Sequence, residues 1–190
     1  MTWVLFCIFC CTSFSNPHIE SRELSLLLKT DKSQVLYEWG GQEKLVGHTI
    51  YFFLENSSWK NSIQWFRQNS KALLQIDNSS IKIIYYPRVK NFLGISAQRK
   101  YDAKVRAREI KKAMEFTLNG NQTLQLRSTP TRVILDGNRN IGKKLGAPRH
   151  RLSALIWHRN TNHFRSFHYL EENPQSFLRT IRRIKETTSK

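Results

Sequence analysis

The sequence predicts an all-β domain, a barrel or a sandwich. Two observations lead there. Ten or more short apolar runs recur along the chain, closely spaced. Turn-forming residues stand between them, among them Gly40-Gly41, Asn56-Ser57-Ser58, Asp77-Asn78 and Pro87. Many short strands divided by such turns are the pattern of barrels and sandwiches.

Taken in order, the expected strands are Val35–Tyr37, Thr49–Leu54, Ile63–Phe66, Leu73–Ile76, Ile81–Tyr86, Phe92–Ile95, Met114–Leu118, Thr123–Leu126, Val133–Leu135 and Leu152–Trp157. Asp102–Lys112 departs from the rhythm. Val105, Ala107, Ile110 and Ala113 fall near helical spacing, so the stretch reads as an amphipathic helix or as an irregular basic loop. Beyond Asn173-Pro174, the residues Phe177, Leu178, Ile181 and Ile184 share one helical face among basic neighbours. That segment reads as a basic amphipathic helix or a flexible tail.

At 190 residues the chain fits one domain, with a net charge of +17 and a pI near 10.2. Such charge points to a polyanionic partner: nucleic acid, anionic membrane or sulfated polysaccharide. Trp3–Cys11 is an unbroken apolar run followed by small residues at Ser13 and Ser15, the form of a secretory signal and its cleavage site. It is too short to span a bilayer. The expected division is a signal peptide over 1–15, a linker over 16–32, the folded domain over 33–160 and a basic extension over 161–190. All three cysteines, Cys7, Cys10 and Cys11, fall inside the signal, so the exported chain is expected to hold together without disulfides. Asn56, Asn78 and Asn121 head N-glycosylation sequons, consistent with a secreted, extracellular protein.

The richest functional stretch is Thr131–Trp157. It carries Gly137, Gly142 and Gly146, Pro148, and the basic residues Arg132, Arg139, Lys143, Lys144, Arg149 and Arg151 around a single acid, Asp136. Two short strands joined by a glycine-punctuated basic loop would make a fixed cradle for a sulfated or phosphorylated polymer. Catalytic signals are sparse. His150, His158, His163 and His168 crowd the C-terminal third, but no cysteine and few carboxylates lie near them in sequence, so no metal site and no cofactor is expected. Gly-x-x-x-x-Gly-Lys-Ser/Thr, Gly-x-Gly-x-x-Gly and His-Glu-x-x-His are all absent.

These pieces together resemble the fibroblast growth factor family. Leu36-Tyr37 is similar to the opening of its first strand. Leu73-Leu74-Gln75-Ile76, Ile81-Lys82-Ile83 and Val89–Ile95 are similar to successive strands. Phe116–Gly120 with Thr123 and Arg127-Ser128 follows, and Gly137–Lys144 resembles the glycine box. His150–Trp157 resembles the closing strand. Met114 departs from the family's usual cysteine, and Asn121–Leu124 lacks its tyrosines. The resemblance implies a β-trefoil of twelve strands in three units. It implies a secreted, non-enzymatic ligand of a receptor tyrosine kinase with heparan sulfate as co-ligand. Heparan sulfate would lie on Arg139, Lys143, Lys144, Arg149, His150 and Arg151. The receptor would meet Tyr37, Leu155, Ile156 and Trp157. Two alternatives share the charge: a nucleic-acid-binding protein of a ribosome or organelle, and a secreted nuclease using His150 or His168.

Overall fold

The computed structural model describes residues 35–42, 47–74, 76, 79–87, 95–161 and 163–188. The apolar run at Trp3–Cys11, the Phe92–Gly94 part of an expected strand and the Asn78 sequon lie outside them.

A single six-stranded sheet organises the chain. Its strands are β1 (Val35–Trp39), β2 (His48–Glu55), β3 (Ser79–Tyr86), β4 (Thr131–Leu135), β5 (Ser153–His158) and β6 (His163–Phe167), in the order β1-β4-β3-β2-β5-β6. β4, β3 and β2 are parallel, while β1, β5 and β6 run antiparallel to their neighbours. Among the described residues, five α-helices accompany them: α1 (Trp59–Leu73), α2 (Ile95–Glu115), α3 (Gly120–Ser128), α4 (Asn140–Lys144) and α5 (Gln175–Thr188). The fold is therefore α/β, and the predicted all-β trefoil is overturned. Parallel neighbours need long crossovers, and here α1 supplies one and α2 with α3 the other.

The expected strands failed where short apolar runs were read in isolation. Ile63–Phe66 lies inside α1, whose Trp59, Ser62, Trp65, Phe66 and Leu73 form one buried stripe over fifteen residues. Thr123–Leu126 lies inside α3, which Asn119 opens. The Asn119 side chain accepts from the Gln122 N–H at 2.9 Å, and Gln122 returns a contact to the Asn119 N–H at 3.3 Å. That reciprocal cap turns an ambiguous segment into a helix. Met114–Leu118 is the end of α2 and the turn after it. Asp102–Lys112 is helical, within α2, and the segment after Pro174 is the helix α5.

β2 is buried along its whole length, because both faces of the sheet's centre are covered. On one face Ile50, Phe52, Ile83 and Val133 meet Trp65 and Phe66 of α1, Ala107 and Ile110 of α2, and Phe177 and Ile181 of α5. On the other, Tyr51, Phe53, Ile84 and Ile134 meet Ile141 of α4 and Leu145 just beyond it. β6 and α5, from beyond residue 160, belong to this same sheet and core. Among the described residues, no helix is long and apolar enough to cross a membrane.

Candidate active site

The parallel strands end together, and ligands of open α/β sheets bind outside such carboxyl ends. β2 closes on Glu55, a buried acid terminating a run of apolar residues. The chain then makes a 3-10 turn through Asn56–Ser58 and enters α1. Neither Glu55 nor Ser58 caps these starts with its side chain. The first main-chain N–H groups of a helix have no partner within it, so they are donors for a ligand's negative charge.

Glu55 is held from above by the loop after β4. Arg139 Nε donates to Glu55 Oε1 at 2.5 Å, and Arg139 Nη2 donates to the Ala147 carbonyl at 2.6 Å. Arg139 has φ 56, a left-handed conformation uncommon for any residue but glycine. Beside it, Asp136 Oδ2 accepts from the Gly142 N–H at 2.9 Å. Burial pushes the Asp136 carboxyl above its ordinary range, against the lowering pull of main-chain N–H groups at 140–142 and of Arg139.

The second carboxylate oxygen of Glu55 faces His150. The His150 main-chain N–H donates to Glu55 Oε2 at 3.2 Å, and its ring Nδ1 lies 3.5 Å from that oxygen. The same Nδ1 is 2.7 Å from Ser57 Oγ. His150 also has a left-handed backbone, φ 61. Its loop is anchored a second time, because Leu152 N–H donates to Glu171 Oε1 at 2.8 Å. At the floor, the Tyr85 hydroxyl contacts Asn56 Oδ1 at 3.4 Å, and burial raises the Tyr85 pKa. Ser57 and His150 are exposed, so the pair opens to solvent over a buried Glu55–Arg139 base.

The basic residues of the predicted cradle divide here. Arg139 turns inward to Glu55, while Lys143, Lys144, Arg149 and Arg151 are exposed and Arg151 pairs with Glu172 at 2.8 Å. His150 joins the site. Leu155, Ile156 and Trp157 are buried inside β5, and Tyr37 lies on the edge strand β1 against Trp39 at 5.7 Å. Asn56 and Asn121 are exposed, the latter on α3. His168 is exposed as well, and partial desolvation of its ring lowers its pKa. Sequence reasoning missed Glu55 and Ser57. The available signal was an acid closing an apolar strand just before Asn-Ser-Ser. Among the described residues, no group of three or more His, Cys, Asp or Glu side chains is placed to hold a metal ion.

No protein-family model matches the chain, and no curated protein does. Among solved structures, one similar chain is the Xanthomonas campestris bacterioferritin comigratory protein, described for alkyl peroxide reduction. The two are 11% identical, with 83% of this chain and 95% of that chain covered and a TM-score of 0.41. The growth-factor reading is corrected by the sheet itself. A parallel β4-β3-β2 core crossed by helices is not a trefoil. The receptor tyrosine kinase falls with it as a partner, because it entered only through that resemblance, and heparan sulfate falls as its co-ligand, with Arg139 of the predicted cradle turned in to Glu55. The expectation that the chain is not an enzyme falls as well: it rested on that resemblance and on sparse catalytic motifs, and the end of β2 instead gathers Ser57, His150 and Glu55. The nucleic-acid-binding and nuclease alternatives gain no support, because nothing beyond charge favours nucleic acid.

Proposed function

We propose that the chain is a hydrolase of the acyl-transfer type, with Ser57 as nucleophile, His150 as general base and Glu55 as the stabilising anion. The observation that carries this reading is the 2.7 Å contact between Ser57 Oγ and His150 Nδ1 at the carboxyl end of β2. A nucleophile within hydrogen-bond reach of a base, itself held by a third group, is the arrangement that activates a hydroxyl. Ser57 Oγ bonds to the acyl carbon of an ester, and His150 Nδ1 takes its proton. The imidazolium then lies beside Glu55 Oε2, which favours the charged form. His150 passes that proton to the departing alcohol. Water attacks the acyl-serine with His150 again as base, releasing the acid and restoring Ser57. The 56–58 turn starts without a side-chain cap, which leaves main-chain N–H groups to stabilise negative charge developing on the acyl oxygen. Exposed Arg149 and Arg151 flank His150 and favour an ester that itself carries an anionic group.

The test is a serine-directed fluorophosphonate probe with peptide mapping, alongside hydrolysis of p-nitrophenyl acetate. We expect a covalent adduct on Ser57, absent in Ser57→Ala, and hydrolysis reduced about 100-fold or more in His150→Gln. A folded protein with no adduct on Ser57 overturns the proposal.

A further inference from the structure

A second polar cleft opens at the far end of the sheet, where β2 begins and β5 ends. His48 of β2 is the register partner of His158 in β5, and His158 is the partner of His163 in β6. Directly paired residues share a face, so three histidines form one row across three strands. That face is the one α5 covers, and Thr180 and Ile184 of α5 form the opposite wall. The open cleft holds about 290 Å³, near the lower size of small-molecule sites, roughly 300 Å³.

The polar groups in this cleft include donors. His158 Nδ1 accepts from the Thr161 main-chain N–H at 3.2 Å and lies 2.7 Å from Thr161 Oγ1. A main-chain N–H can only donate, so neutral His158 carries its proton on Nε2. Its free edge is therefore an N–H donor, the wrong tautomer for a metal ligand. Exposed Arg165 of β6 adds a fixed positive charge. His48 is 5% exposed, its ring centroid is 4.5 Å from that of His158, and its Nδ1 has no hydrogen-bond partner. Ile156 and Ile184 give the same cleft an apolar wall.

We propose that this cleft binds a small carboxylate with an apolar body, its carboxylate on His48, His158 and Arg165 and its body against Ile156 and Ile184. The site lies at the opposite end of β2 from Ser57 and does not depend on the hydrolase reading. Binding links to proton uptake, because burial and the neighbouring His158 hold the His48 pKa down to about 4. A carboxylate beside it reverses that pull. His48 pairs with Ser79 of β3 as well as with His158; the other titratable or charged groups lining the cleft are His163 and Arg165 on β6, while α5 contributes the uncharged Thr180 and Ile184.

The experiment is titration of the full chain with benzoate and with acetate, read from the imidazole NMR resonances of His48 and His158 at pH 5.5 and 7.5. Saturable shifts on both rings are expected, tighter at pH 5.5, with benzoate about tenfold or more tighter than acetate because its ring buries apolar surface. Arg165→Gln should weaken benzoate about tenfold or more while leaving the free-state imidazole spectrum in place. Any one of three results overturns the proposal: no saturable shift, equal affinity for the two anions, or benzoate affinity unchanged in Arg165→Gln. Saturation of the same rings by one equivalent of Zn²⁺ in the absence of carboxylate would also overturn it, in favour of a metal site.

Discussion

Glu55 and Arg139 stand 84 residues apart in sequence and meet in an ion pair whose side chains are only 7% and 14% exposed. The pair fastens the loop after β4 to the end of β2, and it does so where the local conformation of Arg139 is left-handed. Removing one partner strands the other charge in a dry setting, which costs about 3–5 kcal/mol. Arg139→Met should therefore lower the unfolding free energy by roughly that amount in urea titration. The double variant Glu55→Gln/Arg139→Met should recover part of the loss, because no lone charge is left. Equal losses in the single and the double variant would show that the charge pair is not what holds the loop.

Asp136 and His48 pull the stability profile in opposite directions with pH. Burial raises the folded Asp136 pKa above the ordinary 3.8. The folded state then binds the proton more tightly than the unfolded chain, so this stabilisation is complete below 3.8 and is lost as pH rises through the raised folded value. Wild type should lose stability relative to Asp136→Asn as pH is raised from that acid range to neutrality. A difference between the two proteins that does not change with pH would remove Asp136 as a buried acid.

For His48 the sign reverses. Its folded pKa is depressed to about 4 from 6.5, so its contribution is complete above 6.5 and is lost as pH falls towards 4. His48→Phe should flatten the acid limb of the stability curve between those values, measured by urea unfolding across the pH series. An unchanged acid limb would show that His48 is protonated in the folded protein at ordinary cost.

Gly40 sits at φ 92, and a Cβ there would stand 2.1 Å from the Thr129 carbonyl oxygen. Both the backbone region and the contact exclude a side chain, because the obstacle is main chain and cannot swing away. Gly40→Ala should destabilise by more than about 1 kcal/mol. Gly137 has no such neighbour and no positive φ, so Gly137→Ala should be neutral or stabilising by up to about 1 kcal/mol. Thermal unfolding of the two variants, side by side, separates these outcomes.

Much of the sheet was legible in the sequence, and the reason is chemical. Thr49–Leu54 and Ile81–Tyr86 are long, apolar and β-branched or aromatic, and both became central strands. Ile63–Phe66 has the same texture over four residues but belongs to α1, whose period appears only from Trp59 to Leu73. Nothing local marks β2 and β3 as parallel, since that follows from α1 returning the chain to the same end of the sheet. Without it, a chain of short strands fits a trefoil as well as an α/β sheet. At the site, His150 and the basic loop were visible by composition. Glu55 and Ser57 were not, because their relation to His150 spans more than ninety residues and exists only after β2 and β5 pair.

The helix α5 gives the last test, because its sequence was compatible with a flexible tail. Phe177 is completely buried, with ring centroids 5.9 Å from Phe52, 5.7 Å from Trp65 and 5.3 Å from Phe167. Those partners come from β2, α1 and β6, so one side chain ties the final helix to three elements. Phe177→Ala should cost about 3–5 kcal/mol through lost burial and the cavity left behind. That is a large part of a typical domain's stability of about 5–15 kcal/mol. Arg182, exposed on the same helix, is the control, and Arg182→Ala should stay within about 0.5 kcal/mol of wild type. Urea unfolding followed by circular dichroism reads both. Equal, near-zero effects would mean that α5 is not docked in solution, and the wall it gives to the His48 cleft would go with it.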